Sequence, residues 1–347
     1  MRVLASATRR GLSEPNDIAR QLMPSATTID NFFGLMQRQL STAARNNPPT
    51  PERLAQSEEK AREILQEFKE HRANHHSFFD YLRDQSYIGF NPRQLDIFRA
   101  NFFFRTFKTI QSVANAMRAA AEAGDFSGVA GSAQNLSEEG GKGDPKKVHL
   151  KLLEDCFNEY CLKIFGLAPL LLKDCARSPL LTEEVIAFRK TQLQLFRSSY
   201  PTVVGDLLAH EGAADDMLGV FRETLFLPYK EYYDKESFKK LMLYFDEHRD
   251  DEKEGGNVEE QHEQAALAVA TNVICLDPNK NFRLILTGGM KFLNAQANLW
   301  DSLLREFKLA KENGVIVPPK PHIIHSVQLP KSEVLQKADN RSVDGKR

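Results

Sequence analysis

Four stretches of this chain put histidine or glutamate where a helix should be apolar. Phe238, Leu241, Phe245, His248 and Glu252 follow one another at spacings of 3, 4, 3 and 4, which sets them on one side of a helix. Glu259, His262, Ala266, Val269 and Val273 make a second such seam. His149 opens a third, continued by Leu153, Cys156, Tyr160 and Ile164, while Glu211 shares a face with Val204, Leu208 and Leu218. Glu139 stands ten residues before His149, across a glycine-rich passage. A charge on a buried face costs several kcal/mol unless it is neutralised, paired or bound to metal. No matching set of Lys or Arg lies on these seams, so a shared metal site accounts for three His and at least three Glu together. Imidazole and carboxylate without cysteine suit iron or manganese better than structural zinc. Facing helices of a bundle hold paired metals with such side chains. The ferritin-like arrangement asks for two Glu-x-x-His motifs, and this chain offers one, Glu259 to His262.

Taken singly, each residue has a plainer reading. A lone His on an apolar face is usually a hydrogen-bonded core residue, and a lone inward Glu is usually an ion-pair partner. His71, His75 and His76 sit among Glu70, Arg72 and Asn74 and read as a solvated face. His322 and His325 lie in the C-terminal tail, where nothing preorganises a ligand pair. Cys156 and Cys161 could supply a thiol nucleophile, but the spacing of Cys156 with Leu153 and Tyr160 favours packing. Phe102–Phe104 and Phe107 are read as core first and pocket wall second.

The elements that must position these groups are helices. From Pro51 onward apolar residues recur at three- and four-residue intervals, and no strand-type alternation or internal repeat is visible. Helices are expected near 52–84, 92–123, 146–173, 182–199, 201–225, 235–253, 257–275 and 281–312. A short amphipathic helix is expected around Ile29–Leu40. The breaks carry the expected punctuation: Gly89 to Pro92, the glycine-rich stretch 124–144, Ser178-Pro179, Tyr200-Pro201 and Asp277-Pro278. The organisation predicted is an N-terminal extension over 1–51, one all-α domain over 52–312, and an extended or disordered tail over 313–347.

The totals exclude several function classes. The 347 residues carry a formal net charge of -1, with 41% hydrophobic and 27% charged residues, so no basic footprint for nucleic acid is present. No apolar run approaches the roughly 20 residues of a membrane helix. Four cysteines without a CxxC pair fit a reduced, cytoplasmic setting. MRVLASATRRGL at the start faintly resembles an organelle presequence, and an untethered N-terminus is the preferred reading.

Several segments together resemble a known group. They are Asn135-Leu136 followed by Glu139-x-Gly141-x-Gly143-Asp144 and His149, then AHEGAADDML (209–218), YFDEH (244–248), EEQHEQAA (259–266) and GGMKFLNAQANLWDSLL (288–304). In order and spacing these are similar to the haem-oxygenase-like non-haem di-iron oxidases and oxygenases, over about 130–312. The resemblance implies a haem-oxygenase-like multi-helical bundle. It implies two Fe2+ ions (manganese being the alternative) held by Glu139, His149, Glu211, His248, Glu259 or Glu252, and His262, with Asp144, Asp215 and Asp246 as outer partners of the imidazoles. It further implies O2 and a small-molecule substrate: an amine, an amino-acid derivative or a fatty acid undergoing N-oxygenation, desaturation or C–C cleavage. A homodimer is compatible with it.

One departure matters. The family's closing motif is His, a carboxylate four residues on, and His three after that. Here Glu252 follows His248, but Gly255 takes the third place and His262 arrives seven residues late. Seven residues are about 10 Å of helix, so residues 252–257 are expected to bulge or unwind. Two other classes stay open: a metal-free or haem-handling enzyme on the same fold, and a non-catalytic helical interaction protein.

Overall fold

The computed structural model describes residues 50–249 and 258–320. Its α-helices are α1 (Pro51–Lys69), α2 (Ser77–Ile88), α3 (Pro92–Thr106), α4 (Thr109–Ala123), α5 (Phe126–Glu139), α6 (His149–Phe165), α7 (Glu183–Leu195), α8 (Tyr200–Phe221), α9 (Lys235–Leu241), α10 (Leu243–Arg249), α11 (Val258–Leu276) and α12 (Lys280–Glu312). Among the described residues there is no strand, and one antiparallel bridge joins Phe90 to Val317. The all-α multi-helical bundle expected from the periodicity is therefore the fold. No helix of the described residues is long and apolar enough to cross a membrane. The expected helix near Ile29–Leu40, Glu252, and His322 and His325 of the tail lie outside the described residues.

Helix α8 is the axis of the bundle. Its sequence, YPTVVGDLLAHEGAADDMLGVF, is apolar or small on nearly every side, as befits a helix with neighbours all round. α12 runs along it, and α4, α1 and α11 pack against its other sides. The α8–α12 crossing is backbone against backbone. A Cβ on Gly205 would stand 2.0 Å from the Ile285 carbonyl oxygen, and one on Gly288 would stand 2.2 Å from that of Thr202. Two apolar cores divide along α8. Val204, Leu208 and Ala213 join one with α1, α11 and the first half of α12. Met217, Leu218 and Phe221 join the other with α2, α3 and α6. The second is rich in aromatic rings, with Phe98 edge-on to Phe221 at 4.9 Å and Trp300 fully buried beside Phe78. Each fully buried Phe contributes roughly 2–3 kcal/mol of transfer free energy.

Several helix boundaries differ from the sequence expectation, each for a local reason. The helix expected over 52–84 breaks between α1 and α2, where His76 becomes the N-cap of α2. Its Nδ1 accepts from the Phe78 N–H, and its Nε2 meets Asp301 at 2.9 Å. His76 is buried rather than solvated, which corrects the reading of that segment as one exposed face. The helix over 92–123 divides after Thr106, whose hydroxyl donates back to the Phe102 carbonyl, a bond that bends helices. The largest correction concerns 124–144, taken as a break on account of its glycines. Asp125 caps it by accepting from the Gly128 N–H, and Phe126–Glu139 is a helix. Its small residues serve close packing: a Cβ on Gly128 would lie 2.3 Å from the Tyr200 hydroxyl. α6 stops at Gly166 in the left-handed region. The seam from Phe238 to His248 crosses the junction of α9 and α10 at Met242.

Candidate metal centre

The seams with buried ionisable residues converge. Glu139 ends α5, His149 begins α6, Glu211 lies mid-way along α8, His248 is the next-to-last residue of α10, and His262 lies in the second turn of α11. α5 packs on α6 and α11, α8 packs on α10 and α11, and α10 packs on α6. All five residues are less than 9% exposed. The passage between α5 and α6 explains how Glu139 reaches His149. Gly141 takes φ +72, and a Cβ there would sit 2.6 Å from the Lys147 carbonyl carbon. Only glycine lets the chain double back so tightly.

Two clusters result. In the first, Glu139, His149 and His248 each offer a ligand atom within 4.8 Å of the others'. His149 Nδ1 lies 3.4 Å from Glu139 Oε1, and the two imidazoles stand 4.3 Å apart, centroid to centroid. His248 Nδ1–H donates to the Tyr244 carbonyl at 2.6 Å, which fixes the tautomer and leaves Nε2 with its lone pair. In the second cluster His262 Nε2 meets Glu138 Oε2 at 2.5 Å, and its Nδ1 lies 3.7 Å from Glu211 Oε2. The Asn135 amide donates to Glu211 Oε1 at 3.0 Å.

The electrostatics join the clusters. Burial would raise the Glu139 carboxyl, but the adjacent His149, with His248 and His262 behind it, holds it at about 2. Glu139 is therefore an anion. Glu211 is raised, first by burial and then by Glu139, against the opposing pull of His262. His248 is lowered to about 4 by burial and then by the neighbouring His149. Its imidazole is neutral at pH 7, the form that ligates metals.

The donor chemistry fits metal. Three imidazoles and three carboxylates, with no thiolate, match iron or manganese. His149 Nδ1 is buried and makes no hydrogen bond despite the nearby carboxylate. An orphaned buried nitrogen facing a carboxylate and a second imidazole is what a metal ligand leaves when only protein atoms are counted. Beside the clusters lies a cavity of about 50 Å³, whose wall includes Glu139, His149, Glu211, His248, Tyr244 and His210.

Of the residues singled out from sequence, Glu139, His149, Glu211, His248 and His262 meet here. Glu252 is outside the described residues, as is the side chain of Glu259, whose backbone belongs to α11. His248 lies on α10 (Leu243–Arg249) and His262 on α11 (Val258–Leu276); residues 252–257, expected to bulge or unwind, lie outside the described residues. Of the expected outer partners, Asp144 accepts from the Lys146 N–H and Asp246 faces Arg222 at 3.7 Å. Sequence reasoning missed Glu138. The signal was the Glu138-Glu139 doublet, two adjacent carboxylates that diverge at the end of α5 to serve different histidines. It also missed His210, whose ring stacks on Phe292 at 5.3 Å. Cys156 and Cys161 are buried free thiols, with burial pushing Cys161 up to about 12, which fits packing and not nucleophilic chemistry.

No family model matches the chain, and no curated protein matches it. Two crystal structures of a CADD-like protein of unknown function from Nostoc punctiforme share its fold. One aligns with a TM-score of 0.55 at 16% identity, over 76% of this chain and 99% of the other. The second gives 0.56 at 18% identity, over 73% and 99%. At such identities the likeness is one of fold alone.

Proposed function

We propose that this protein is an O2-dependent, non-haem iron oxidase or oxygenase that acts on a small molecule. The observation that carries the reading is the convergence of six ligand-type side chains from five helices, five of them buried and the sixth, Glu138, partly buried, with an orphaned imidazole nitrogen among them. Glu139, His149 and His248 would hold one Fe2+, and Glu138, Glu211 and His262 the other, with Glu259 or Glu252 as a further carboxylate. Manganese is the alternative ion for the same donors. When bound, the metals supply the electrons and open coordination positions with which O2 is activated.

The chain's own residues orient, neutralise and exclude water. The Tyr244 carbonyl holds the His248 ring, and the Asn135 amide holds one oxygen of Glu211. Such outer hydrogen bonds fix ligand geometry and are worth 10–100-fold in metal affinity. The aromatic wall made by Phe102 and Tyr244 closes one side of the cavity and keeps bulk water from the ligands. A cytoplasmic location, in keeping with four free cysteines, belongs to the same proposal.

Anaerobic ferrous loading followed by metal analysis tests it. About two irons per chain are expected, falling to about one in His149→Ala and in His262→Ala. An absence of iron uptake, with both variants as stable as the parent, would sink the reading.

A further inference from the structure

Arg105 is a buried cation without an anion. It is 4% exposed and projects from α3 to line the cavity beside the Glu/His clusters. Its Nε and Nη2 both donate to one oxygen of Gln296, at 3.2 and 2.5 Å. The rings of Phe102, Phe188 and Trp300 surround the guanidinium, with centroids 5.7 to 6.0 Å from its carbon. Among the described residues no carboxylate lies within 4 Å of it, and Nη1 makes no hydrogen bond. Arg99, two turns earlier on the same helix, shows the usual solution: it is just as buried, and it pairs with Asp96 at 2.8 Å and donates to Ala168 and Asn158.

Cation–π contacts and one amide oxygen offset part of the cost of burying Arg105, but a desolvated cation with a free N–H edge is still short of a partner. Its surroundings select what that partner is. His210 shares the cavity wall, and its ring nitrogens make no hydrogen bond among the described residues. The hydroxyls of Thr106 and Thr109 donate to backbone carbonyls and keep their lone pairs. The same cavity is lined by the carboxylate and imidazole set, Glu139, Glu211, His149 and His248. A cavity of about 50 Å³, at the roughly 10–15 Å³ needed per water, takes a few water-sized groups, which is the size of a carboxylate with one or two carbons.

We propose that Arg105 is the recognition residue for a carboxylate-bearing small-molecule substrate, which enters with its carboxylate on the guanidinium and its remaining atoms toward the Glu/His clusters. Guanidinium and carboxylate match as a planar, charge-assisted pair. This names a substrate class for the oxidase reading and rests on it for the chemistry, whereas recognition of the anion itself needs no metal.

The test uses the full-length, metal-free protein in low-chloride buffer, with propionate as probe and propionamide as its uncharged match. Binding is read from the rise in melting temperature and from the emission of Trp300, the sole Trp and a neighbour of the guanidinium. Propionate is expected to stabilise the parent at millimolar concentrations, and propionamide is expected not to. Arg105→Gln should bind propionate at least tenfold more weakly, while Arg105→Lys keeps part of the affinity. Circular dichroism checks that both variants are folded; should Arg105→Gln not fold, the comparison of propionate with propionamide on the parent and on Arg105→Lys decides. Equal responses to propionate and propionamide, no response of the parent to either, or undiminished propionate binding by folded Arg105→Gln overturns the inference. Iron loading of parent and Arg105→Gln, run in parallel, separates the two readings. Normal iron uptake without carboxylate selectivity removes Arg105's role alone. Carboxylate selectivity without iron uptake leaves Arg105 an anion site and removes the oxidase.

Discussion

Asp206 makes stability depend on pH in a direction opposite to most carboxylates. It lies on α8 one turn before His210, is 5% exposed, and its Oδ1 has no hydrogen-bond partner. Burial pushes its carboxyl up from 3.8 to about 8, so the native protein holds a proton that the unfolded chain releases above pH 4. The stability this proton confers is fully present below the unfolded value and is lost as pH rises through about 8. Between those limits the slope is about 1.4 kcal/mol per pH unit. From pH 5 to pH 8 the loss amounts to about 4 kcal/mol at most, a large share of the roughly 5–15 kcal/mol that holds a domain together. Asp206→Asn keeps the shape and removes the titration. Urea unfolding of parent and variant, followed by the fluorescence of the fully buried Trp300, gives two stability curves across this range. Their difference isolates Asp206 from every other titrating group, and the variant should gain steadily on the parent toward alkaline pH. Parallel curves would refute the argument and mean that Asp206 is ionised in the native protein, with a partner that burial alone does not reveal.

Three further outcomes are expected. Glu138→Gln should weaken ferrous binding at one of the two metal positions by 10–100-fold, measured by anaerobic competition with a chelator, since it removes the carboxylate charge beside His262; unchanged binding would return Glu138 to a purely structural role. Gly205→Ala should force α8 and α12 apart, because its Cβ would meet the Ile285 carbonyl oxygen at 2.0 Å. A loss of about 3 kcal/mol, at the upper end of ordinary overpacking, would appear as a melting temperature several degrees lower, and an unchanged melt would contradict the close crossing. The four buried cysteines should resist an aromatic disulfide reagent at pH 8 until urea unfolds the chain, as burial holds Cys161 near 12 and Cys175 near 11; rapid labelling of either in the native protein would contradict its burial.

Periodicity alone was enough for the helical class and for the seams on which His149, Glu211, His248 and His262 lie, because a helix repeats every 3.6 residues whatever it packs against. It also led to the expectation of a break between His248 and His262, since one unbroken helix would separate them by about four turns, although residues 250–257 lie outside the described residues. The glycines of 124–144 misled because glycine has two uses, loosening a turn and admitting a close neighbour. Only the packing of α5 on α4 and Tyr200 shows that the second use prevails over Phe126–Glu139. Three features belong to tertiary structure alone. Glu138 and Glu139 are adjacent in sequence, yet one serves His262, which is 124 residues away, and the other His149. Arg105 sits in a run of phenylalanines that reads as core, and its isolation appears only when α3, α7 and α12 close around it. Asp206 and His210 follow one another along a helix buried on nearly all sides. Which buried polar group finds a partner is decided by helices distant in sequence, and no local pattern carries that information.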